Sequence, residues 1–340
     1  MKYATEKSLV AACTIWSALG QYLSIALLGI GLGARSQAQI RAYVANEGGS
    51  FSASSTVSVI DIATNTVVAT IPVGPIPFAP IGVATAPDGT RAYVTNAGVP
   101  FDSANGTVAV IDTATNTVVA TIPVGILPEA VAITPDGTRA YVANTASSTV
   151  SVVDTSTNTV VVAIAGLLDP LGVAITPDGT RAYVANAANF SVSVIDTATN
   201  TVVATIPDVS GFGVAITPDG TRAYVANGTV TVIDTATNTV GVTIPVGGFP
   251  TVGVAITPDG TRAYVTNAGN GVSVIDAATN TVVTTIPITA AGPPIAIAIT
   301  TAPRVPKSKK ECKRGGYLKF GPPAGPFKNQ GQCVSYVEHH

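Results

Sequence analysis

The side chains that could do chemistry in this 340-residue sequence are almost all carboxylates. The only histidines are His339 and His340 at the end of the chain, so the rest of the sequence lacks the usual general base and the usual zinc or haem ligand. The sequence has 19 aspartates and glutamates, and 19 less Glu6, Glu311 and Glu338 leaves 16 between residues 39 and 303. These carboxylates are therefore the first candidates for catalysis in this part of the chain.

Eleven of the sixteen carboxylates belong to two recurring turn motifs. In Pro-Asp-Gly-Thr, proline presets φ, aspartate accepts bonds from the backbone ahead, and glycine takes the positive φ that a Cβ disfavours. These Asp-Gly pairs are Asp88 and Gly89, Asp136 and Gly137, Asp178 and Gly179, Asp219 and Gly220, and Asp259 and Gly260. The second motif is Asp-Thr-Ala-Thr-Asn-Thr or a close variant, in which asparagine tolerates the left-handed conformation. Its copies begin at Asp61, Asp112, Asp154, Asp196, Asp234 and Asp276. The eleven aspartates are therefore predicted to be structural.

The other five carboxylates lie outside these motifs, at Glu47, Asp102, Glu129, Asp169 and Asp208. Five acidic groups on loops could surround a calcium ion, since hard cations take several oxygen ligands. No Asp-x-Asp spacing brings two of them together, which favours solvated loop charges instead. We therefore expect no metal, no cofactor and no catalytic residue.

A repeated segment positions all of these residues. Arg-Ala-Tyr-Val-(Ala/Thr)-Asn occurs six times with a period of roughly 40 to 50 residues, which indicates a solenoid, a propeller or an array. Its copies begin at Arg41, Arg91, Arg139, Arg181, Arg222 and Arg262. Each repeat divides into four short strands, A to D, which in the third copy are predicted at residues 130–134, 139–144, 149–154 and 159–164. The chain is therefore predicted to be all-β.

The strand pattern favours a six-bladed β-propeller of four-stranded antiparallel blades. Strands C and D are nearly free of charge, so we expect their sheets to be covered on both faces, and the small residues 172–176 suit a strand A near the axis. The first repeat lacks strand A, whereas residues 295–300 form a strand A with no strand B after it. We expect these terminal strands to share one blade and to close the ring. A solenoid, the alternative, would not need a split blade.

The repeats resemble the YVTN β-propeller repeat. The resemblance rests on Tyr93-Val94-Thr95-Asn96 and Tyr264-Val265-Thr266-Asn267 within the pattern Val-Ala-Ile-Thr-Pro-Asp-Gly-Thr-Arg-Ala-Tyr-Val-x-Asn, and it covers roughly residues 40 to 303. That family is known from archaeal and bacterial cell-surface proteins, so the resemblance implies a propeller on or outside the cell without supplying an activity. The wider group also resembles lactonase-type propellers. Family members often have seven blades, whereas six are counted here.

The segment before the first repeat, residues 1–38, does not match the repeat and is predicted to be a signal peptide. Two lysines precede an uncharged stretch at residues 8–34, and Ser36, Gln37 and Ala38 supply small residues for cleavage. The alternative is an uncleaved membrane anchor, because an uncharged stretch of this length is enough to span a bilayer. Either interpretation predicts a secreted or cell-surface protein that touches membrane only through this segment.

Residues 304–340 form a basic tail after the propeller, which is predicted to occupy residues 39–303. Eight positive charges against two glutamates give the tail a net charge of +6, whereas the propeller carries 6 − 16 = −10. The tail could bind an anionic cell-wall polymer, bind nucleic acid or lie against the acidic propeller; export makes nucleic acid the least expected partner. In an exported chain, Cys312 and Cys333 are predicted to form a disulfide worth about 3 kcal/mol.

Comparison of the six repeats locates the predicted contact face. The A-to-B and C-to-D turns are nearly identical in every copy, whereas the B-to-C and D-to-A loops at the opposite rim vary in length and sequence. Function is usually carried by variable loops on a rigid scaffold. The candidate contact residues on this rim are Glu47, Phe51, Phe78, Phe101, Asp102, Glu129, Asp169 and Asp208.

The sequence as a whole predicts a binding or surface-structural module without catalysis. Its expected partner is a surface protein or a cell-envelope polysaccharide. The alternative is a lactonase-like hydrolase or lyase in the central channel. Such an enzyme should show polar side chains converging on the channel, but the A strands offer valine, alanine, isoleucine and threonine.

Overall fold

The structure, a computed structural model, describes residues 23–28, 41–46, 55–61, 64–74, 79–97, 106–247, 251–267 and 271–287. These residues form six antiparallel four-stranded sheets, arranged as the blades of a six-bladed β-propeller. The all-β fold class and the blade count predicted from the sequence are confirmed. In the described part of the chain, no helix has the length and apolar character needed to cross a membrane.

Each blade is a meander whose strands neighbour one another in chain order. Blade 1 contains β1 (Leu23–Leu28), β2 (Arg41–Asn46), β3 (Thr56–Asp61) and β4 (Thr66–Pro72). Blade 2 contains β5 (Ala79–Thr85), β6 (Arg91–Ala97), β7 (Thr107–Asp112) and β8 (Thr117–Pro123). Blade 3 contains β9 (Pro128–Ile133), β10 (Arg139–Asn144), β11 (Thr149–Asp154) and β12 (Thr159–Ala165).

The other three blades follow the same plan. Blade 4 contains β13 (Pro170–Ile175), β14 (Arg181–Asn186), β15 (Ser191–Asp196) and β16 (Thr201–Ile206). Blade 5 contains β17 (Gly213–Ile216), β18 (Arg222–Asn227), β19 (Thr229–Asp234) and β20 (Thr239–Pro245). Blade 6 contains β21 (Thr251–Ile256), β22 (Arg262–Asn267), β23 (Gly271–Asp276) and β24 (Thr281–Ile286).

The two turn motifs adopt the backbone conformations predicted for them. Gly137 has φ of 74°, and Asp136 Oδ1 accepts the Thr138 N–H at 3.0 Å. The asparagine of the second motif is left-handed in all six copies, as at Asn158 with φ of 55°. These turns, which lie on one rim, are called the constant rim; the B-to-C and D-to-A connections lie on the opposite, variable rim.

The first strand of each blade lies innermost. Strands β1, β5, β9, β13, β17 and β21 pack against one another in that order. The approach is close: a Cβ on Gly172 would lie 2.3 Å from the carbonyl oxygen of Phe212 on the next blade. The expected preference for small residues near the axis is therefore confirmed by the geometry of this contact.

Among the residues that the structure describes, the hydrophobic core consists of five clusters, each between two consecutive blades. Between blades 3 and 4, for example, Tyr141, Val152 and Ile164 pack against Ala182 and Val184. The same positions supply the other clusters. Apolar burial is thus distributed over equivalent interfaces rather than gathered in one central core.

The outer strands differ from the sequence-based expectation that strands C and D are covered on both faces. Strand C is buried, but the outermost strand D is largely exposed, and Val203 on β16 is 51% accessible. The expectation is wrong for strand D because it forms the free outer edge of each blade. Each strand D contains a β-bulge, at which its register with the neighbouring strand C shifts by one residue. In blade 4 this shift lies between Val194 and Ile195 of strand β15.

The inner strand of blade 1 also differs from the prediction. Leu23–Leu28 pairs with β2, with Leu23 opposite Asn46 and Leu28 opposite Arg41. The segment predicted for this place, residues 295–300, lies outside the described residues, as does the tail. The predicted split blade is therefore corrected. The apolar N-terminal stretch, and not a C-terminal strand, pairs with β2 in this structure.

The interface between blades 6 and 1 is unlike the other five within the described ranges. Strand β21 does not pack on β1 as the other inner strands pack on their neighbours. Ile286 is 37% exposed, whereas the equivalent Ile122 in blade 2 is 1% exposed. Tyr264 and Ile60, whose counterparts are buried, are partly exposed. These described residues thus leave apolar surface open at the last interface.

Candidate functional site

The carboxylates of the constant rim are engaged in the fold. Arg139 at the start of β10 forms an ion pair with Asp154 at the end of β11. Asp154 also accepts the Ser156 hydroxyl at 2.6 Å and the Ser156 N–H at 2.9 Å. Hydrogen bonding, led by the Ser156 hydroxyl, lowers the pKa of Asp154 well below its ordinary value. The corresponding pairs in other blades are Arg91 with Asp112, Arg181 with Asp196, and Arg262 with Asp276.

The Pro-Asp-Gly aspartates are held in a similar way. Thr134 donates its hydroxyl to Asp136 Oδ1 at 2.6 Å, and this bond is the main reason that the pKa of Asp136 is lowered. The same threonine bond lowers the pKa of Asp178, Asp219 and Asp259. A carboxylate with a lowered pKa is a weak base near neutral pH.

Grooves on the constant rim run between neighbouring blades. One groove has a volume of about 950 Å³ and is lined by residues that include Arg91, Tyr93, Asp112, Pro135 and Asp136. A similar groove of about 400 Å³ follows one blade further on. Both are built from motif residues, and neither contains a predicted contact residue. We interpret them as the gaps between adjacent turns.

The predicted contact residues fall into two groups. Glu47, Phe51, Phe78, Phe101 and Asp102 lie outside the described residues, as do Cys312 and Cys333. The others lie on the variable rim: Glu129 on β9 is partly exposed, and Asp169 and Asp208 are exposed loop residues. Within the described ranges, no three His, Cys, Asp or Glu side chains form a group that could hold a metal ion.

Two apolar side chains stand exposed beside these aspartates at blade 4. Leu168 is 48% exposed and Phe190 is 58% exposed. The Ala188 N–H donates to the Leu168 carbonyl at 3.3 Å, which joins their two loops. The Val209 N–H donates to the Phe190 carbonyl at 2.8 Å and adds the loop that carries Asp208. We call Leu168, Asp169, Phe190 and Asp208 the blade 4 patch.

The backbone of the blade 4 patch is unusual. Asp169, Phe190 and Asp208 have φ of 50°, 49° and 59°, in the left-handed region that non-glycine residues rarely adopt. Such conformations cost of order 1–3 kcal/mol each and cluster at functional sites. An aromatic residue that is both exposed and left-handed contributes little to folding, so its presence needs another explanation.

Phe190 is not among the contact residues predicted from the sequence. It lies in a short B-to-C loop between β14 and β15. The equivalent loop of blade 3 carries Ser148 in the same conformation, with φ of 51°. Alignment of these two loops would have identified the replacement of serine by phenylalanine.

Charge is divided between the two rims. All six arginines of the repeats start a strand B at the constant rim. The charged residues described on the variable rim are Glu129, Asp169 and Asp208. The variable rim in the described part of the chain is therefore acidic.

Comparison with known proteins agrees with this geometry. Residues 83–197, which span most of blades 2 to 4, match the family model described as YNCE-like beta-propeller. The chain is a β-propeller repeat protein. The solved structure of Kuenenia stuttgartiensis hydrazine synthase is similar, with a TM-score of 0.63 and 25% sequence identity over 81% of this chain and 80% of that chain. No curated protein matches.

Proposed function

We propose that this propeller is an exported binding or surface-structural module whose variable rim contacts its partner. The observation that carries the proposal is the blade 4 patch, where Leu168 and Phe190 are exposed on loops joined by backbone hydrogen bonds. Exposed apolar groups on a preorganised backbone are typical of contact sites, because little entropy is lost on binding. Aromatic side chains also supply much of the binding energy at interfaces.

The charges around the patch favour a partner with a positive group beside an apolar one. Asp169 and Asp208 flank the two apolar side chains, and the described part of this rim contributes no arginine or lysine. A segment of a surface protein with lysine or arginine next to an aliphatic or aromatic residue fits this arrangement. A cell-envelope polysaccharide is the other partner expected from the sequence, and the test below separates the two.

The chemistry of the turn aspartates supports a role without catalysis. Asp136 and Asp154 have lowered pKa values and accept several hydrogen bonds, so they are poorly suited to proton transfer near neutral pH. The rival function is a lactonase-like hydrolase or lyase. Hydrolysis of a lactone panel by the purified protein would overturn the non-catalytic proposal.

Export is proposed from the N-terminal segment, residues 1–38, which the cell reads as a signal peptide. Cys312 and Cys333 then form a disulfide in the oxidising compartment. The proposed location is outside the cell or on its surface, with membrane contact only through the N-terminal segment if that segment is retained. We expect no nucleic-acid partner.

The proposal is tested with an internal control from the chain itself. Phe190→Ser installs the residue that blade 3 has at the equivalent position, Ser148, so the fold should be retained. Immobilised full-length protein is used to capture cell-envelope proteins and, separately, purified envelope polysaccharide. We expect Phe190→Ser to weaken capture of protein by about tenfold or more, as for a central aromatic contact.

The matched control is Val203→Ser, which removes a similarly exposed apolar side chain from the outer strand β16. Its capture should equal that of the unaltered chain. Equal capture by Phe190→Ser would contradict the proposed contact face. Capture of polysaccharide alone would contradict the proposed basic protein partner.

A further inference from the structure

The inner edge of β2 is filled by a segment that lacks features of the other inner strands. Five residues containing Pro-Asp-Gly separate strand A from strand B in blades 2 to 6, as in residues 134–138. Twelve residues, 29–40, separate β1 from β2. The strand that occupies this edge is therefore not tied to β2 by the turn that defines the repeat.

The strand register shows which residues of an inner strand pair with strand B. In blades 2 to 6 the inner strand places alanine opposite the motif tyrosine, as Ala132 lies opposite Tyr141. It then continues with isoleucine or threonine opposite the next alanine. Strand β1 keeps the alanine, with Ala26 opposite Tyr43, but it places leucine, Leu27, opposite Ala42.

The two candidate strands for this edge, Leu23–Leu28 and residues 295–300, differ at the next position. Blades 3 to 6 have threonine there, and Thr134 donates its hydroxyl to Asp136 and accepts the Arg139 N–H. β1 has Leu28. Residues 297–300, Ile-Ala-Ile-Thr, are identical to the pattern Val-Ala-Ile-Thr at three of four positions, whereas residues 25–28, Ile-Ala-Leu-Leu, are identical at one.

Chain connectivity places residues 295–300 next in the blade order. Four to six residues link each outer strand to the following inner strand, and eight residues, 287–294, separate β24 from residue 295. Eight extended residues reach at most about 29 Å. The next blade position after blade 6 in the ring is blade 1.

The open sixth interface supplies an independent observation. In four of the formed interfaces the motif tyrosine donates its hydroxyl to the turn asparagine of the next blade, as Tyr183 donates to Asn238 at 2.7 Å. At the open interface, the blade 6 tyrosine Tyr264 is partly exposed, and the blade 1 turn asparagine Asn65 is exposed. A strand that leads from blade 6 to blade 1 would bring these two residues together.

We propose that the inner edge of β2 is a strand-acceptor site with two successive occupants, Leu23–Leu28 in the precursor and residues 295–300 of the same chain after residues 1–38 are removed. Binding is by strand addition, in which backbone hydrogen bonds give affinity and the residue pattern gives specificity. The replacement of one strand by the other in the cell rests on the proposed export, because removal of residues 1–38 frees the edge of β2. Residues 1–38 thereby delay completion of the ring.

The experiment uses the full chain with a site-specific protease sequence inserted between Ala38 and Gln39. Hydrogen exchange is measured on peptides that contain residues 23–28 and 295–300, before and after cleavage. We expect residues 23–28 to be protected before cleavage, and exchange of residues 295–300 to slow roughly tenfold or more after it. Protection of residues 295–300 before cleavage, or none after it, would overturn the proposal.

Three variants sharpen the test. Ala298→Pro removes a ladder hydrogen bond and should abolish the protection gained on cleavage, whereas Ala291→Pro in the connection should not. Leu28→Thr supplies the threonine that the leader strand lacks, and we expect it to slow the exchange of occupants. Protection that survives Ala298→Pro would contradict strand addition.

The oligomeric state after cleavage distinguishes the donor. Residues 295–300 of the same chain leave a monomer, and a dimer that disappears with Ala298→Pro would show donation between copies and overturn the proposal. The N-terminus of protein produced by cells tests export separately. If that N-terminus is Met1, the proposed export fails, while the cleavage experiment still decides the strand exchange.

Discussion

At the scale of single residues, the motif tyrosine connects each blade to the next. Tyr183 is fully buried, and its hydroxyl donates to Asn238 Oδ1 at 2.7 Å and to the Thr235 carbonyl at 3.2 Å. Burial raises the pKa of Tyr183 to about 12. The ring fills the interface while the hydroxyl satisfies polar groups of the neighbouring turn, so tyrosine is suited to this position better than phenylalanine.

Tyr183→Phe keeps the ring and removes the hydroxyl. We expect a loss of about 1–2 kcal/mol in the free energy of unfolding, because Asn238 Oδ1 is left without its donor. Denaturant unfolding measures the change. Tyr264→Phe in the same uncleaved chain is the matched control, since Tyr264 is partly exposed at the open interface between blades 6 and 1. Equal losses for the two variants would contradict this account.

At the scale of strands, the β-bulge explains how the outer edges stay unpaired. An exposed, uncharged edge strand is a template for pairing with another chain, and charged residues usually prevent this. The outer strands here carry no charge, yet each is interrupted by a bulge. A bulge twists the edge and breaks the regular row of backbone groups, so it provides the protection that charges supply elsewhere.

The bulge position also makes a stability prediction. Blade 5 has Gly241 where blade 4 has Val203, and a Cβ on Gly241 would meet Val232 O at an ordinary 3.5 Å. Gly241→Val should raise the free energy of unfolding by about 0.5–1 kcal/mol, because glycine loses more entropy on folding. Gly179→Ala should lower it by about 1–2 kcal/mol, because Gly179 has φ of 76°. Thermal unfolding measures both, and shifts of the same sign would refute the argument.

The strands also show which local features the sequence reveals. The bounds of β10 and β11 were predicted correctly, because each begins or ends at a motif residue such as Arg139 or Asp154. The exposure of strand D was not predicted, because valine and threonine do not distinguish a buried strand from a bulged edge. Leu23–Leu28 was assigned to a signal peptide, since an apolar stretch serves a membrane or a sheet edge equally well.

At the scale of the whole molecule, the buried tyrosines couple stability to alkaline pH. Burial raises the pKa of Tyr43, Tyr93, Tyr141, Tyr183 and Tyr224 above the ordinary value. A raised pKa means that the folded state holds its protons more tightly than the unfolded state. The associated stability is therefore complete below about pH 10 and is lost as the pH rises towards about 12.

We expect the propeller to unfold in this range and its tyrosines to ionise with it. Tyrosinate absorbance and circular dichroism, followed together between neutral and strongly alkaline pH, measure the two events. The ionisation of the five buried tyrosines should coincide with the loss of circular dichroism, because a buried phenol ionises only when its interface opens. Gradual ionisation of all tyrosines with unchanged circular dichroism would contradict the prediction.

The fold was more predictable than the candidate site. The fold follows from copies of two turns, and six copies make the pattern unambiguous. The blade 4 patch depends on residues that do not recur at equivalent positions of the other repeats. The left-handed backbone of Phe190 could not be predicted, because phenylalanine has no preference for that conformation. The open sixth interface depends on which of two similar strands occupies one edge, and their sequences differ mainly at Leu28 and Thr300.

The equivalence of the five formed interfaces bears on how this architecture can evolve. Each is built from the same tyrosine, valine, alanine and isoleucine positions. Duplication or deletion of one repeat unit would place equivalent blade surfaces against each other, so the new interface would use the same packing as the others. Blade number in such a lineage is therefore free to drift, and relatives with other counts are accessible by a single genetic event.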